Sequence, residues 1–459
     1  MMSRTARYAH RIGIPPAHPR ARPSFLPPSF SPRLLSPWPD LRSATSAPYR
    51  TVMSPAEWTS PLREFPASGV TLIEPSIEVE EETLPTYQPE KYYPVQQGEV
   101  LNNRYQVLAK LGYGVTSTVW LGRDLCDSKY VILKIYVTGR DKNHELEIYN
   151  HLDSVEAKHP GRGFVRKLLS HFSVEGPHGR HVCLVHEPSG MSTDAYLRKY
   201  IPGGVMTLEQ MKPCIRQLLI VLDFLHSAAH IVHTDLQLKN MLLPIKDTKA
   251  LSNLEEREIK APSPRKVLKD RTIYLSTIYN AGGDGLPLLS DFGEARFGDV
   301  ENNADIMPNM YRAPEVVFKE SWGYKVDIWS VAMVAWDIVS SRRLFDGKNP
   351  DGIFDDRVHV AEMIALLGPP PAQFRERCKL AYVFWDEQGN WKDLAPIPDI
   401  SLESLGADIK GKDKEGFFRW LRAALQWNAE DRPSATDLLF DEWLMEGLGL
   451  NRKEENAKN

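Results

Sequence analysis

His233-Thr234-Asp235-Leu236-Gln237-Leu238-Lys239-Asn240, with Ser290-Asp291-Phe292-Gly293 downstream, is the stretch whose reading decides the fold. Asp235 stands five residues before Asn240, and Asp291 opens an Asp-Phe-Gly triplet. Together they supply what phosphoryl transfer from a magnesium-bound nucleotide needs. Asp235 is a carboxylate able to accept or orient a hydroxyl proton. Asn240 and Asp291 are hard oxygen donors suited to an ion that keeps waters and bridges phosphate oxygens. Each piece alone has a plainer reading, as a turn carboxylate or as a bend whose Gly takes a left-handed conformation.

Other parts of the same machinery stand in order around it. Leu111-Gly112-Tyr113-Gly114-Val115-Thr116-Ser117-Thr118-Val119 reads as a twisted Gly-rich hairpin able to cover phosphates, with Leu111, Gly112, Gly114, Val115, Ser117 and Val119 as candidate nucleotide contacts. Val131-Ile132-Leu133-Lys134 follows with the alternation of a strand, placing Lys134 at the phosphates. Glu145 is the candidate ion-pair partner of Lys134, and Glu147 competes with it. Glu145 is preferred because Leu146, Tyr149 and Leu152 fall beside it at helical spacing. Glu187, after His186, closes the β-rich part of the chain. Thr207-Leu208-Glu209-Gln210 has capping-box form and opens an amphipathic helix that runs into the His233 stretch.

Composition bounds the rest. The 459 residues carry 42% hydrophobic content, enough for a large core, and a net charge of -4 that argues against general polyanion binding. Cys126, Cys183, Cys214 and Cys378 lack metal-ligand spacing and suit a reducing compartment. No apolar run is long enough for a membrane span. Residues 1–50 hold eight arginines, ten prolines and one acid, Asp40, a composition that cannot assemble a core. Disorder is the expectation there. A mitochondrial import signal and a true start at Met53 are the competing readings.

From about residue 85 to 445 the chain resembles a protein kinase of the group that contains cyclin-dependent and MAP kinases, and most closely the SR-protein-specific serine/threonine kinases. The resemblance rests on His233-Thr234-Asp235, with Thr where most kinases have Arg, on the loop from Leu111 to Trp120, and on Tyr311-Arg312-Ala313-Pro314-Glu315. An insert between Asn240 and Asp291 is a further likeness. It implies an α+β, bilobal kinase fold: a small antiparallel β-sheet lobe with one helix, and a large, mainly helical lobe. The expected divisions are a disordered tail (1–73), an acidic extended lead-in (74–103), the small lobe (104–187), the large lobe (188–447) with an insert at 245–285, and a polar tail (448–459). Asp327 is expected to tie down the backbone of the His233 stretch, and Glu315 to pair with Arg432.

The resemblance further implies ATP and Mg²⁺ as cofactors, with Lys134, Glu145, Asp235 and Gln237 as catalytic positions, Asn240 and Asp291 as metal ligands, and Val119, Ile132, Leu242 and Glu187 around the base. Protein substrates are expected, Arg-Ser-rich splicing factors among them, with no direct nucleic-acid or membrane contact and a monomeric state in cytoplasm and nucleus. Gln237 departs from the pattern by replacing a lysine at the γ-phosphate, so a weakly active enzyme or a pseudokinase scaffold is the alternative; a small-molecule kinase is the more distant rival. His186, at the gatekeeper position, is read as a neutral packed imidazole. Acidic residues expected in the docking groove are Val358 and Ala365 here, leaving Asp351, Asp355, Asp356 and Glu362 as substitutes. The segment from Phe292 to Arg312 contains no Ser or Thr, which predicts activity without phosphorylation there, with Ser263 in the insert as a place for control.

Overall fold

The structure is a computed structural model, and it describes residues 58–139, 143–245, 247–277 and 285–448. The expected disorder of residues 1–57 and most of the polar C-terminal tail lie outside these residues. The small lobe is an antiparallel sheet in the order β1-β2-β3-β4-β6-β5, made of β1 (Val100–Leu101), β2 (Tyr105–Tyr113), β3 (Ser117–Asp124), β4 (Lys129–Tyr136), β5 (Leu168–Gly176) and β6 (Gly179–His186). Helix α1 (His144–Ser154) meets the sheet through Glu145, reached by Lys134 and Tyr136 of β4, while its buried Ile148, Tyr149 and Leu152 join the large lobe's core; it is capped by the Asn143 side chain, which accepts from Leu146 N–H.

Strand β4 shows why so apolar a run forms here. Val131, Leu133 and Ile135 join one buried cluster with Val107, Trp120 and Tyr274, whereas Ile132 joins another with Leu108, Ala109 and Leu121. A strand covered on both faces reads as a continuous hydrophobic run. The second cover comes from the insert: α4 (Lys249–Lys260) lays Leu251 and Leu254 on the Ile132 cluster.

The large lobe holds α2 (Thr193–Tyr200), α3 (Leu208–Asp223), α5 (Lys325–Val339), α6 (Asp356–Leu367) and α7 (Lys414–Ala424). Thr207 and Gln210 form the expected reciprocal cap of α3. Helix α5 is apolar almost all round and buried almost throughout, as a central core helix must be. The Arg432 guanidinium meets both carboxylate oxygens of Glu315 at 2.6 and 2.7 Å, with both side chains buried.

Two expected boundaries are corrected. Residues 58–73 were assigned to a disordered tail, yet they lie against the small lobe: Trp58 Nε1 donates to the Asn103 carbonyl at 2.9 Å, and Arg63 pairs with buried Glu255 at 2.8 Å. The insert, assigned to the large lobe, also braces the small one. Its hairpin of two short strands (Arg265–Val267 and Thr272–Tyr274) takes the backbone of Thr71 and Ile73 alongside Arg265, while Lys266 pairs with Glu82 at 2.8 Å. Tail and insert supply each other's partners across nearly two hundred residues, so neither segment's own composition reveals the contact.

Candidate active site

Lys134, on β4, alternates outward from Leu133 and Ile135 and so faces the space between the lobes. Its ammonium lies 2.7 Å from Glu145 Oε2 and 3.0 Å from Asp291 Oδ1. Glu145 is buried on α1, and the Tyr136 hydroxyl also donates to it; the competing Glu147 faces solvent, 3.7 Å from His144. Burial opposes the charge on Lys134, but the two carboxylates outweigh it and hold the ammonium above its ordinary range. The same cation pulls the Asp291 carboxyl down to about 2. Asp291 takes a left-handed backbone, φ +65°, at the head of its turn, and Phe292 is buried between the rings of Tyr149 and His233, at 5.3 and 5.0 Å.

The loop carrying Asp235 is held from below by α5. Both carboxylate oxygens of buried Asp327 accept main-chain N–H groups, from His233 at 2.8 Å and Thr234 at 2.9 Å. Thr234 has φ +67°, a conformation an L-residue keeps only when its surroundings over-determine it. Asn240 donates to the Asp235 carbonyl and carboxylate, each at 2.8 Å, which leaves its amide oxygen as the atom available to a cation. The Gln237 amide also donates to the Asp235 carboxylate. One carboxylate is thus fixed by two neutral donors.

A cleft of about 580 Å³ runs between the lobes. Of the sequence-predicted residues, Leu111, Gly114, Val115, Ser117, Val119, Ile132, Lys134, Glu145, Asn240, Leu242 and Asp291 line it; Asp235 lines an adjoining space with Glu145 and Asp291. Gly112 and Glu187 do not line the cleft. The Glu187 carbonyl instead accepts from Arg166 at 3.2 Å, and Arg166 itself lines the cleft with Ser189, Gly190 and Lys239. No motif marks Arg166, which arrives through a main-chain bond of its own N–H to the Leu289 carbonyl at 2.8 Å. His186 is buried, and its desolvation, with Arg166 and Lys134 nearby, lowers its pKa well below the ordinary value. It is a neutral imidazole, as expected.

The segment after Asp291 is braced without a phosphate. The short strand Arg296–Phe297 pairs with Ile231–Val232, His144 Nε2 donates to the Ala295 carbonyl at 2.5 Å, and the Asn302 amide donates to the carbonyls of Phe297 and Val300. Farther on, Ser321 donates to Glu301 at 2.6 Å, Trp322 Nε1 to the Ala304 carbonyl at 3.0 Å, and Lys319 pairs with Asp305.

A protein kinase domain model matches residues 105–444. The chain belongs to the protein kinase family. It is 40% identical over 390 residues to a serine/threonine protein kinase of Aspergillus fumigatus, covering 84% of this chain and 96% of that protein. It is 31% identical to SRSF protein kinase 3 of Homo sapiens, covering 77% and 88%, and 28% identical to the serine/threonine-protein kinase SRPK of Physarum polycephalum, covering 78% and 90%. A solved kinase domain, that of PF14_0431, matches with a TM-score of 0.58 at 21% identity, over 77% of this chain and 98% of that one, which shows the fold. This kinase is therefore SRPK-like, a serine/threonine protein kinase, and its family uses ATP with Mg²⁺.

The acidic substitutes in the docking region are mostly committed inward. Asp355 caps α6 and pairs with Arg357 at 2.6 Å, and buried Asp356 lies 3.6 Å from Arg312. Glu362 accepts the main-chain N–H groups of Asp346 and Gly347 at 3.0 and 2.9 Å, and burial raises its pKa. Asp351 is exposed.

Proposed function

We propose that this kinase is catalytically competent, that it phosphorylates serine or threonine in Arg-Ser-rich proteins of the splicing-factor type, and that it does so without phosphorylation of its own activation segment. One observation carries competence: the Lys134 ammonium touches Glu145 and Asp291 at the same time, so the small-lobe helix and the metal-binding turn are both seated for nucleotide. The donor set fits magnesium and triphosphate, with one amide oxygen and one ionised carboxylate on the large lobe and a cation on the small lobe.

In this reading Lys134 would neutralise the phosphates of a bound nucleotide, and Asn240 and Asp291 would hold Mg²⁺, which would supply further charge neutralisation there. Asp235 orients the attacking hydroxyl and takes up its proton. Its aim is set by Asn240 and Gln237, so the base is pre-positioned and little is lost to reorganisation. Tyr113, Gly114 and Val115 line the cleft and would cover the phosphates of a bound nucleotide.

The substrate class is supported by the relatives of SRPK type, and exposed Asp351 is the docking acid left by the contacts around α6. Activity without segment phosphorylation is supported by the contacts that already order residues 294–305. Cytoplasm and nucleus are the compartments such substrates imply. The test is phosphate transfer by purified full-length chain to an arrayed peptide library with and without Mg²⁺. Selective labelling of Arg-Ser repeats is expected; labelling that ignores flanking arginine removes the substrate reading, and no labelling at all removes competence.

A further inference from the structure

The loop Ala261-Pro262-Ser263-Pro264 joins α4 of the insert to its hairpin. At its centre the Ser263 hydroxyl donates to Glu258 Oε1 at 2.5 Å, and the Ser263 N–H donates to Glu258 Oε2 at 3.0 Å. Glu258 is 1% exposed and also accepts from Gln97 Nε2 at 3.1 Å. The Gln97 amide donates in turn to the Leu108 carbonyl of β2 at 2.8 Å. Ser263 itself is half-buried, at the rim of this chain of bonds. The latch therefore joins insert, lead-in and sheet through one carboxylate.

What the latch holds matters to the nucleotide. Leu251 and Leu254 of α4 share a cluster with Ile132, Leu111 and Val119, three residues that line the cleft. Beyond Ser263, the hairpin pins the 58–73 segment through Arg265 N–H to the Thr71 carbonyl at 3.1 Å and Ile73 N–H to the Arg265 carbonyl at 3.0 Å. Pro264 has no N–H to give, so the Ser-Pro bond adds nothing to these ties and restricts Ser263 to an extended backbone.

We propose that Ser263 is a phosphorylation site for a proline-directed serine/threonine kinase, and that the phosphate opens the latch and weakens nucleotide binding in the cleft. In the modifying step the bond from the γ-phosphorus to the bridging oxygen of that kinase's ATP breaks, a new bond forms from phosphorus to Ser263 Oγ, ADP leaves, and the hydroxyl proton passes to that kinase's base. The product has lost its donor and carries nearly two negative charges within hydrogen-bond distance of a buried carboxylate. Uncompensated like charges cannot stay buried together. The nearest cation in sequence, Arg265, lies over the Tyr274 ring at 5.2 Å and donates to the Pro66 carbonyl at 3.5 Å, so it is already placed elsewhere.

Closed latch and bound nucleotide favour the same arrangement of Ile132, Leu111 and Val119, so the coupling is reciprocal. Nucleotide in the cleft slows modification, and modification weakens nucleotide. This consequence rests on the cleft reading above, whereas the modification and the opening of the latch do not.

The experiment uses the full-length chain. Asp291→Asn protein, which cannot label itself on the reading above, is incubated with a purified MAP kinase and ATP, and the site is mapped by mass spectrometry. Hydrogen exchange over residues 249–274 is then compared between modified and unmodified protein. Phosphate on Ser263 and faster exchange are expected; no phosphate there, or unchanged exchange, overturns the proposal. In parallel, Ser263→Glu is expected to raise KM for ATP about tenfold, with Ser263→Ala close to the parent and Glu258→Gln partly restoring Ser263→Glu. A Ser263→Glu protein whose KM is unchanged or lowered means the charge leaves the latch closed or tightens it through Arg265, and overturns the link to nucleotide. Inactivity of the parent chain itself would strike the proposed function and leave the exchange result standing.

Discussion

Thr234 Oγ1 donates to the main-chain carbonyl of Glu294 at 2.6 Å, so the catalytic loop and the activation segment are joined by a neutral side chain. Kinases switched by segment phosphorylation use arginines drawn to a phosphate for this purpose. Here the bond exists in the unmodified chain, and nothing between Phe292 and Arg312 can receive phosphate from a serine/threonine kinase. Protein made in bacteria is therefore expected to keep its specific activity after exhaustive phosphatase treatment. Thr234→Val, which leaves the Glu294 carbonyl short of a donor at a cost of about 1–3 kcal/mol, is expected to lower turnover about tenfold, and Thr234→Ser to restore most of it. Loss of activity on dephosphorylation would show that a site such as Tyr311 or Ser263 carries an activating phosphate.

Lys134 and Asp291 meet in the cleft, but their loss should be felt differently from that of Asp235. Asp291→Asn is expected to abolish transfer while leaving the thermal midpoint within a few degrees, and Lys134→Ala to abolish transfer and also lower the midpoint, since it leaves the buried Glu145 carboxylate without its cation. Asp235→Asn is expected to preserve nucleotide affinity and cut turnover by orders of magnitude, because the group acts on the hydroxyl. Binding measured by calorimetry beside steady-state turnover separates the two. A large loss of ATP affinity in Asp235→Asn would mean that Asp235 has been misread.

The cleft was legible because its residues sit in short motifs whose spacing is set by one strand, one turn or one helix. Lys134, Glu145, Asp235, Asn240 and Asp291 are of that kind. Arg166 was not legible: it reaches the cleft through tertiary placement, with no local pattern around it. Glu187 shows the converse, since a motif position does not say that its carbonyl is engaged by Arg166. The brace on the small lobe was hidden for a third reason. Glu255 is buried because Arg63 and Arg123 arrive from far along the chain, and a single charged helix gives no sign of such partners.

Gln237 donates to Asp235, so it keeps the positioning half of the lysine's role and lacks the charge. Gln237→Lys is expected to raise kcat with KM for ATP nearly unchanged, because an interaction that strengthens with charge developing on the phosphoryl group is felt in the transition state. A missing electrostatic donor of this kind is worth up to about 10²–10³-fold. Steady-state kinetics of the variant decides the matter. An unchanged kcat would show that Lys239, which lines the cleft, already supplies the cation.

His359 is fully buried on α6, donates Nε2–H to the Arg312 carbonyl at 3.1 Å, and packs against Phe345 and Phe354. Burial lowers its pKa from 6.5 to about 4, with the Arg312 guanidinium adding to the effect. The sign follows from which state binds the proton. Between pH 6.5 and 4 the unfolded chain takes up a proton that the folded chain refuses, so stability falls as pH falls through that window and levels off below it. The span corresponds to about 3 kcal/mol. His359→Gln keeps a donor for the Arg312 carbonyl and does not titrate, so it should remove this part of the acid slope while costing little at pH 7.5. Urea unfolding at pH 7.5, 5.5 and 4.5 measures it. Parallel pH curves for the parent and His359→Gln would show that the imidazole is protonated in the folded chain, and the neutral bond to Arg312 would then have to be abandoned.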